Sequence, residues 1–339
     1  MSKSPLTQAG IAAASLTFTS THAAHAADVY KGKTIVVTVG FGPGGGYDRY
    51  GRLLARHIGR HIPGKPTVVV KNLPGAGSLK SVQYLRTVAP KDGTAIVIFN
   101  FGQITRSLVL PSKKIKVDFR DFAWIGSINR DLSVCYVRKG IGGDNLATLA
   151  KRPRVNFGLT SVGSASYFNQ SMMRGIFGIK LKQIAGYSGS KQKQLAIERH
   201  ELDGDCGAWS SVPADWLRDK KIDVLLRYSP LKPADMPATI PFAGDIAKTA
   251  SDKQIIKLLT GASELGRPFI APKELAKDRL AILRTAFGAT MKDTVFTADA
   301  KKQRLPVSPI VGKEAVATIK EIYSIPSDVV KKAKLIFKK

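Results

Sequence analysis

Two periods of apolar residues alternate along this chain. Short β-branched runs such as Thr34–Val39 and Thr67–Lys71 are followed by stretches in which apolar positions recur at spacing three and four. The first such stretch, 48–61 with its flank, places Tyr50, Leu53, Leu54, His57, Ile58 and Ile62 on one face, the pattern of a helix with one buried side. Pro63-Gly64 stops it. A helix over 79–88 and a strand over 94–99 complete a β-α-β-α-β unit, which predicts a parallel sheet. A second set follows: strands at 123–128, 132–138, 154–159, 182–187 and 223–227, with helices at 165–177 and 191–199. Ser229–Pro241 carries four prolines and reads as an extended connector. Beyond it lie helical patterns at 251–260, 273–291, 297–303, 312–322 and 326–337, with no full sheet of their own. The economical arrangement returns them to the first lobe. The expected domains are therefore 27–128 plus 228–339, and 129–227, with two chain crossings forming a hinge.

Three strand-to-helix junctions carry glycine where the chain turns: Gly40–Asp48, Pro74–Ser78 and Thr160–Ser164. A helix N-terminus presents unpaired N–H groups and about half a positive charge. Glycine lets an anion approach that backbone. The three junctions predict a carboxylate or phosphate site shared by two lobes.

The 339 residues fit two domains, and 44% hydrophobic content fits a packed globular protein. No apolar run approaches the ~20 residues a membrane-spanning helix needs. Residues 1–26 read as an export signal: Lys3, an apolar core at 9–18, and Ala24-His25-Ala26 before the cleavage point. A periplasmic product is expected. Cys135 and Cys206 are the only cysteines. They either pair in an oxidising compartment or remain as buried thiols. The net charge of +28 is scattered along the chain rather than gathered in one basic arm, and export argues against nucleic acid as a partner.

Several chemistries drop out. Gly40-x-Gly42-x-x-Gly45 matches a dinucleotide fingerprint in form, but Lys71-Asn72 stand where a ribose-binding acid is needed. No Gly-x-Ser-x-Gly elbow surrounds the loop serines, and no histidine is placed as their base. His57 and His61 sit one helical turn apart, but read as helix-face packing rather than metal ligands. No metal, cofactor or catalytic residue is expected. Asp48 either closes its own loop as a first-turn carboxylate or meets a ligand amine. Tyr187 and Trp209 are packing residues or walls of a ligand cleft.

These motifs in this order resemble the tripartite tricarboxylate transporter substrate-binding proteins, the Bug or TctC-like receptors. The matching residues are Gly44-Gly45-Gly46-Tyr47-Asp48, Val68–Ser78, Ala89–Thr94, Phe157–Ser166 and Tyr187-Ser188-Gly189-Ser190. The resemblance implies an α/β, two-lobed type II periplasmic-binding-protein fold, a Venus flytrap of two Rossmann-like domains. It also implies capture of a small organic carboxylate for a tripartite membrane permease, without catalysis and as a monomer. The expected ligand-binding set is Phe41, Gly45, Gly46, Tyr47, Asp48, Gly75, Ala76, Gly77, Ser78, Ser161, Gly163, Ser164, Ser166, Tyr187, Asp203 and Trp209. The tract Glu201–Trp209 departs from the family's more apolar form, and Tyr47 and Tyr50 stand where smaller residues are common. Two rival readings are a basic envelope-associated binding or sensing protein without a dedicated permease, and a secreted serine hydrolase.

Overall fold

The computed structural model describes residues 29–112 and 116–338; the expected export signal, 1–26, lies outside them. The strands, in chain order, are β1 Thr34–Val39, β2 Thr67–Asn72, β3 Ala95–Ile98, β4 Ala123–Ser127, β5 Ser133–Arg138, β6 Val155–Gly158, β7 Leu181–Ile184, β8 Gly204–Ala208, β9 Ile222–Arg227, β10 Pro268–Ala271 and β11 Ile310–Val311. They form two sheets. The first runs β11-β4-β10-β3-β1-β2, the second β7-β6-β8-β5-β9. β1 is flanked by β2 and β3 in parallel, as the β-α-β-α-β pattern predicts. In the second sheet β6 lies parallel to β7 and β8, while β5 runs antiparallel to both β8 and β9.

β10 is the element the residue pattern hides. It is a four-residue strand led by a proline, too short to show a period. It inserts antiparallel between β3 and β4, and all four residues are buried. The chain thus re-enters the first sheet at 268. Segment 228–339 does not cover that sheet as one block. Tyr228, Ala243, Ile255, Ile256, Leu259, Ala333 and Ile336 share an apolar cluster with Phe157, Phe168 and Met172 of the second lobe. Helices Ala250–Gly261 and Ser327–Leu335 accordingly close the second core. Helices Lys277–Lys292 and Thr294–Lys302 lie on the first lobe: Leu283, Phe287 and Phe296 pack with Leu53, Leu54 and Ile125.

Cys135 and Cys206 stand directly opposite each other on β5 and β8 and are joined as a disulfide. Of the two states the sequence leaves open, the paired one is present.

Among the described residues the chain crosses between the lobes three times, not twice: at 128–131, at 263–267 and again at 324–326, ahead of helix Ser327–Leu335. The first two crossings lie against each other. The Asp131 N–H donates to the Ser263 carbonyl at 2.7 Å, and the Ile128 N–H to the Arg267 carbonyl at 3.2 Å. A Cβ on Gly266 would sit 2.3 Å from the Asp131 nitrogen, so only glycine allows this approach.

Candidate functional site

Helix Gly46–Ile58 starts directly behind β1. Its cap, Gly45, has extended backbone and no side chain to satisfy the first N–H groups. Helix Ser190–Glu198 of the second lobe starts the same way behind Gly189. The two bare N-termini face each other across the lobes: the Gly46 N–H donates to Ser190 Oγ at 3.3 Å, and the Gly42 N–H to the Ser188 carbonyl at 3.0 Å. A Cβ on Gly46 would lie 2.3 Å from Ser211 Oγ, so any larger residue at 46 would force that serine side chain to move.

Between them lies a cavity of about 60 Å³. Helix Ala165–Gly175 also begins at its wall, but two of its first-turn N–H groups are already taken by side chains. Ser164 Oγ accepts from the Tyr167 N–H, and Asn100 Oδ1 accepts from the Ala165 N–H at 3.0 Å.

Two buried cations line the cavity. Arg267, 1% exposed, donates from Nη1 to Asp131 Oδ2 at 3.0 Å and to the Gly266 carbonyl at 2.8 Å. Its guanidinium carbon lies 4.4 Å from the Tyr47 ring centre and 5.1 Å from that of Tyr50, a cation–π arrangement. Burial works against the charge, but Asp131 and the two phenol groups outweigh it and raise the pKa further. The same burial pushes Tyr47 well up and Tyr50 to about 12, so both phenols are neutral. Lys193, 3% exposed, donates from Nζ to Asp205 at 2.6 Å and to Ser166 Oγ at 3.2 Å.

Of the sequence-predicted residues, Phe41, Gly45, Gly46, Tyr47 and Ser166 line this cavity. Gly75, Ala76, Gly77 and Tyr187 line a neighbouring notch of about 290 Å³, which Phe41 shares. Ser161 closes against Gly77, where a Cβ would meet its Oγ at 2.4 Å. Gly163, with φ +86°, packs on the Arg106 side chain. Five residues serve the fold rather than the cavity. Asp48 takes the Gly44 N–H at 2.8 Å, Arg52 Nε at 2.9 Å and Asn72 Nδ2 at 2.8 Å. Burial pushes its pKa up, yet these bonds outweigh burial and lower it. Ser78 Oγ accepts from the Asn100 N–H, and Ser164 is spent as a helix cap. Asp203 sits before β8, at the end away from the cavity, held by Arg138 and the Asn156 N–H. Trp209 is a core residue whose Nε1 donates to Asp235.

Sequence reasoning missed Lys193, Arg267, Asp131 and Asp205. Lys193 lies in an ordinary-looking helix, Lys-Gln-Lys-Gln. Arg267 and Asp131 are 136 residues apart and meet only because the crossings pair. The one available signal is the Gly266-Arg267-Pro268 step ahead of an apolar run.

No family model matches the chain. A UPF0065 protein of Bordetella pertussis is 28% identical over 184 residues, 52% of this chain and 55% of that protein; the chain thus spans about half the length of the curated relative it matches. The fold is similar to that of the periplasmic binding protein BugD, with a TM-score of 0.72, 21% identity, and coverage of 91% of this chain and 98% of that one. It is also similar to MatC of Rhodopseudomonas palustris with bound malate, with a TM-score of 0.71, 17% identity, and coverage of 88% and 99%. The chain therefore has the two-lobed fold of periplasmic binding proteins of the BugD and MatC kind.

Proposed function

We propose that this chain is a periplasmic solute-binding receptor that closes its two lobes on a small organic carboxylate and delivers it to a tripartite membrane permease. The observation that carries this reading is the seam cavity, lined by buried Arg267 and Lys193 and faced by two uncapped helix N-termini. Helix N-termini and buried guanidinium groups are the groups that favour a carboxylate removed from water. The bound malate of MatC agrees with that chemistry. The cavity has room for roughly four to six water-sized groups, which favours a compact aliphatic acid over a tricarboxylate or an aromatic acid in the closed form. The Cys135–Cys206 disulfide supports an oxidising compartment.

Ser166 beside Lys193 has the outline of a serine nucleophile with a lysine base. Asp205, 2.6 Å from the same Nζ, stabilises the ammonium, which has no lone pair to take the serine proton. Binding without catalysis is the reading this supports.

The test is a thermal-shift and calorimetric panel of acetate, lactate, succinate, malate and adipate, run on protein refolded free of ligand. At least one acid is expected to raise the melting temperature and bind at one site per chain. A panel without a single shift would remove the carboxylate reading.

A further inference from the structure

Arg267 belongs at once to the hinge and to the cavity. Its backbone lies in the second chain crossing, with its N–H on Ser127 Oγ at 3.0 Å and its carbonyl on the Ile128 N–H. Its partner, Asp131, lies in the first crossing. Its guanidinium reaches past the hinge to the two tyrosines of helix Gly46–Ile58 and lines the cavity. There Nη2 lies 3.4 Å from where a Gly46 Cβ would be, beside Ser211 of the second lobe. Nη1 is used twice, by Asp131 and Gly266. Nε is buried and, among the described residues, has no hydrogen-bond partner. A buried, unpaired N–H on a charged group is costly, on the order of 1–3 kcal/mol or more, and the side chain that carries it lines the cavity. Lys193 differs: Asp205 and Ser166 already hold its ammonium.

We propose that Arg267 is the anchor for the ligand carboxylate, and that its pairing with Asp131 ties occupancy of the cavity to the two adjoining chain crossings. This rests on the carboxylate-receptor reading and adds to it the residue that selects the acid. The ligand oxygen takes the guanidinium edge that Asp131 leaves free. One arginine then carries two carboxylates, one from the hinge and one from the ligand. An acid is accepted and its amide, without the charge, is not.

Two variants test this. Arg267→Lys keeps a charge opposite Asp131 but loses the planar fork, so the acid that gives the largest shift in the panel above is expected to bind 10- to 100-fold more weakly. Circular dichroism checks that this variant is folded. Asp131→Asn leaves the guanidinium without its counter-charge. The ligand-free variant is expected to melt lower than the wild type, and the acid to raise its melting temperature by more than it raises the wild type's, because the ligand carboxylate replaces the missing one. A purely structural arginine gives equal ligand shifts in both proteins. Affinity within threefold of wild type in Arg267→Lys, or an equal or smaller ligand shift in Asp131→Asn, overturns the anchor and leaves the receptor reading standing. A wild type that responds to no acid in the panel overturns both.

Discussion

The two buried ion pairs near the seam use the same chemistry for different ends. Arg267 and Asp131 are 136 residues apart and join the chain crossings; Lys193 and Asp205 are 12 apart and lie within the second lobe. The first pair has a donor left over, the second has none. A pair between the two adjoining crossings ties the site to the link between the lobes. A pair inside one lobe holds a helix N-terminus in place on its own sheet, here helix Ser190–Glu198 on β8. Breaking the two should therefore give different signatures: the first mainly in ligand response, the second mainly in the stability of the second lobe, with a smaller effect on the cavity that Lys193 lines.

Asp205→Asn should produce the largest loss of stability. It leaves the Lys193 ammonium buried without a counter-charge, with only the neutral Ser166 hydroxyl and an amide oxygen to accept from it, and removes the carboxylate whose charge, after burial itself, pushes the Tyr136 phenol well up. Loss of one partner from a buried pair costs about 3–5 kcal/mol, read from urea unfolding. The double variant Lys193→Met/Asp205→Leu should recover most of that loss, since it removes both charges. If the double variant is as unstable as the single one, the pair is not the cause and the packing of β8 is.

The Cys135–Cys206 bridge lies one residue along the same strand. It closes a loop with a sequence separation of 71. Replacing both cysteines by serine should destabilise by about 3–4 kcal/mol through the freed unfolded chain, with urea unfolding again the measure. The outcome sharpens the comparison, because the bridge acts on the unfolded state and the ion pair on the folded one. Asp205→Asn should therefore alter the ligand response of the cavity, whereas the serine variant should lower stability with little change in ligand affinity. Equal changes in affinity would mean that the sheet register, not the charge, sets the cavity.

Elements with a clear period or turn signal are legible in the residue pattern alone: β1 to β3, helix Gly46–Ile58 and the glycine junctions behind them. So is the part of the cavity they build, from Phe41 to Tyr47. What is not legible comes from pairings across long separations. β10 has four residues and no period; it becomes a strand because β3 and β4 leave a gap between them. Arg267 reads as a surface cation until the crossings bury it. Ser78, Ser164 and Asp48 have the right types for a carboxylate site, but the nearby backbone N–H groups of Asn100, Tyr167 and Gly44 take their oxygens first. Residue type gives the capacity to bind a ligand; local geometry decides whether that capacity is already used.

A third cluster sets the lower end of the scale, because solvent reaches it. At the edge of helix Gly46–Ile58, the buried His57 has Nε2 2.8 Å from Asp299 Oδ2, and the half-exposed Arg56 donates to the same oxygen from Nε and Nη2. One turn on, His61 and Arg60 meet Asp293. Burial raises the pKa of Asp299, but the bonds from His57, Gln303 and Arg56 outweigh it and lower it from 3.8 to about 2. A carboxyl with a depressed folded pKa stabilises the protein fully above its unfolded value and loses that contribution as pH falls through the folded one. Asp299→Asn should therefore destabilise by roughly 1–2 kcal/mol at pH 7, less than either variant above because Arg56 is half exposed. The gap to wild type should persist to about pH 4 and close towards pH 2, where the wild-type carboxyl is itself protonated. Thermal unfolding of both proteins from pH 7 to pH 2 measures it. A gap that stays constant to pH 2 would assign the loss to the packing of helix Thr294–Lys302 rather than to charge, and the surface cluster would then no longer be the weak, solvent-screened counterpart of the buried pairs.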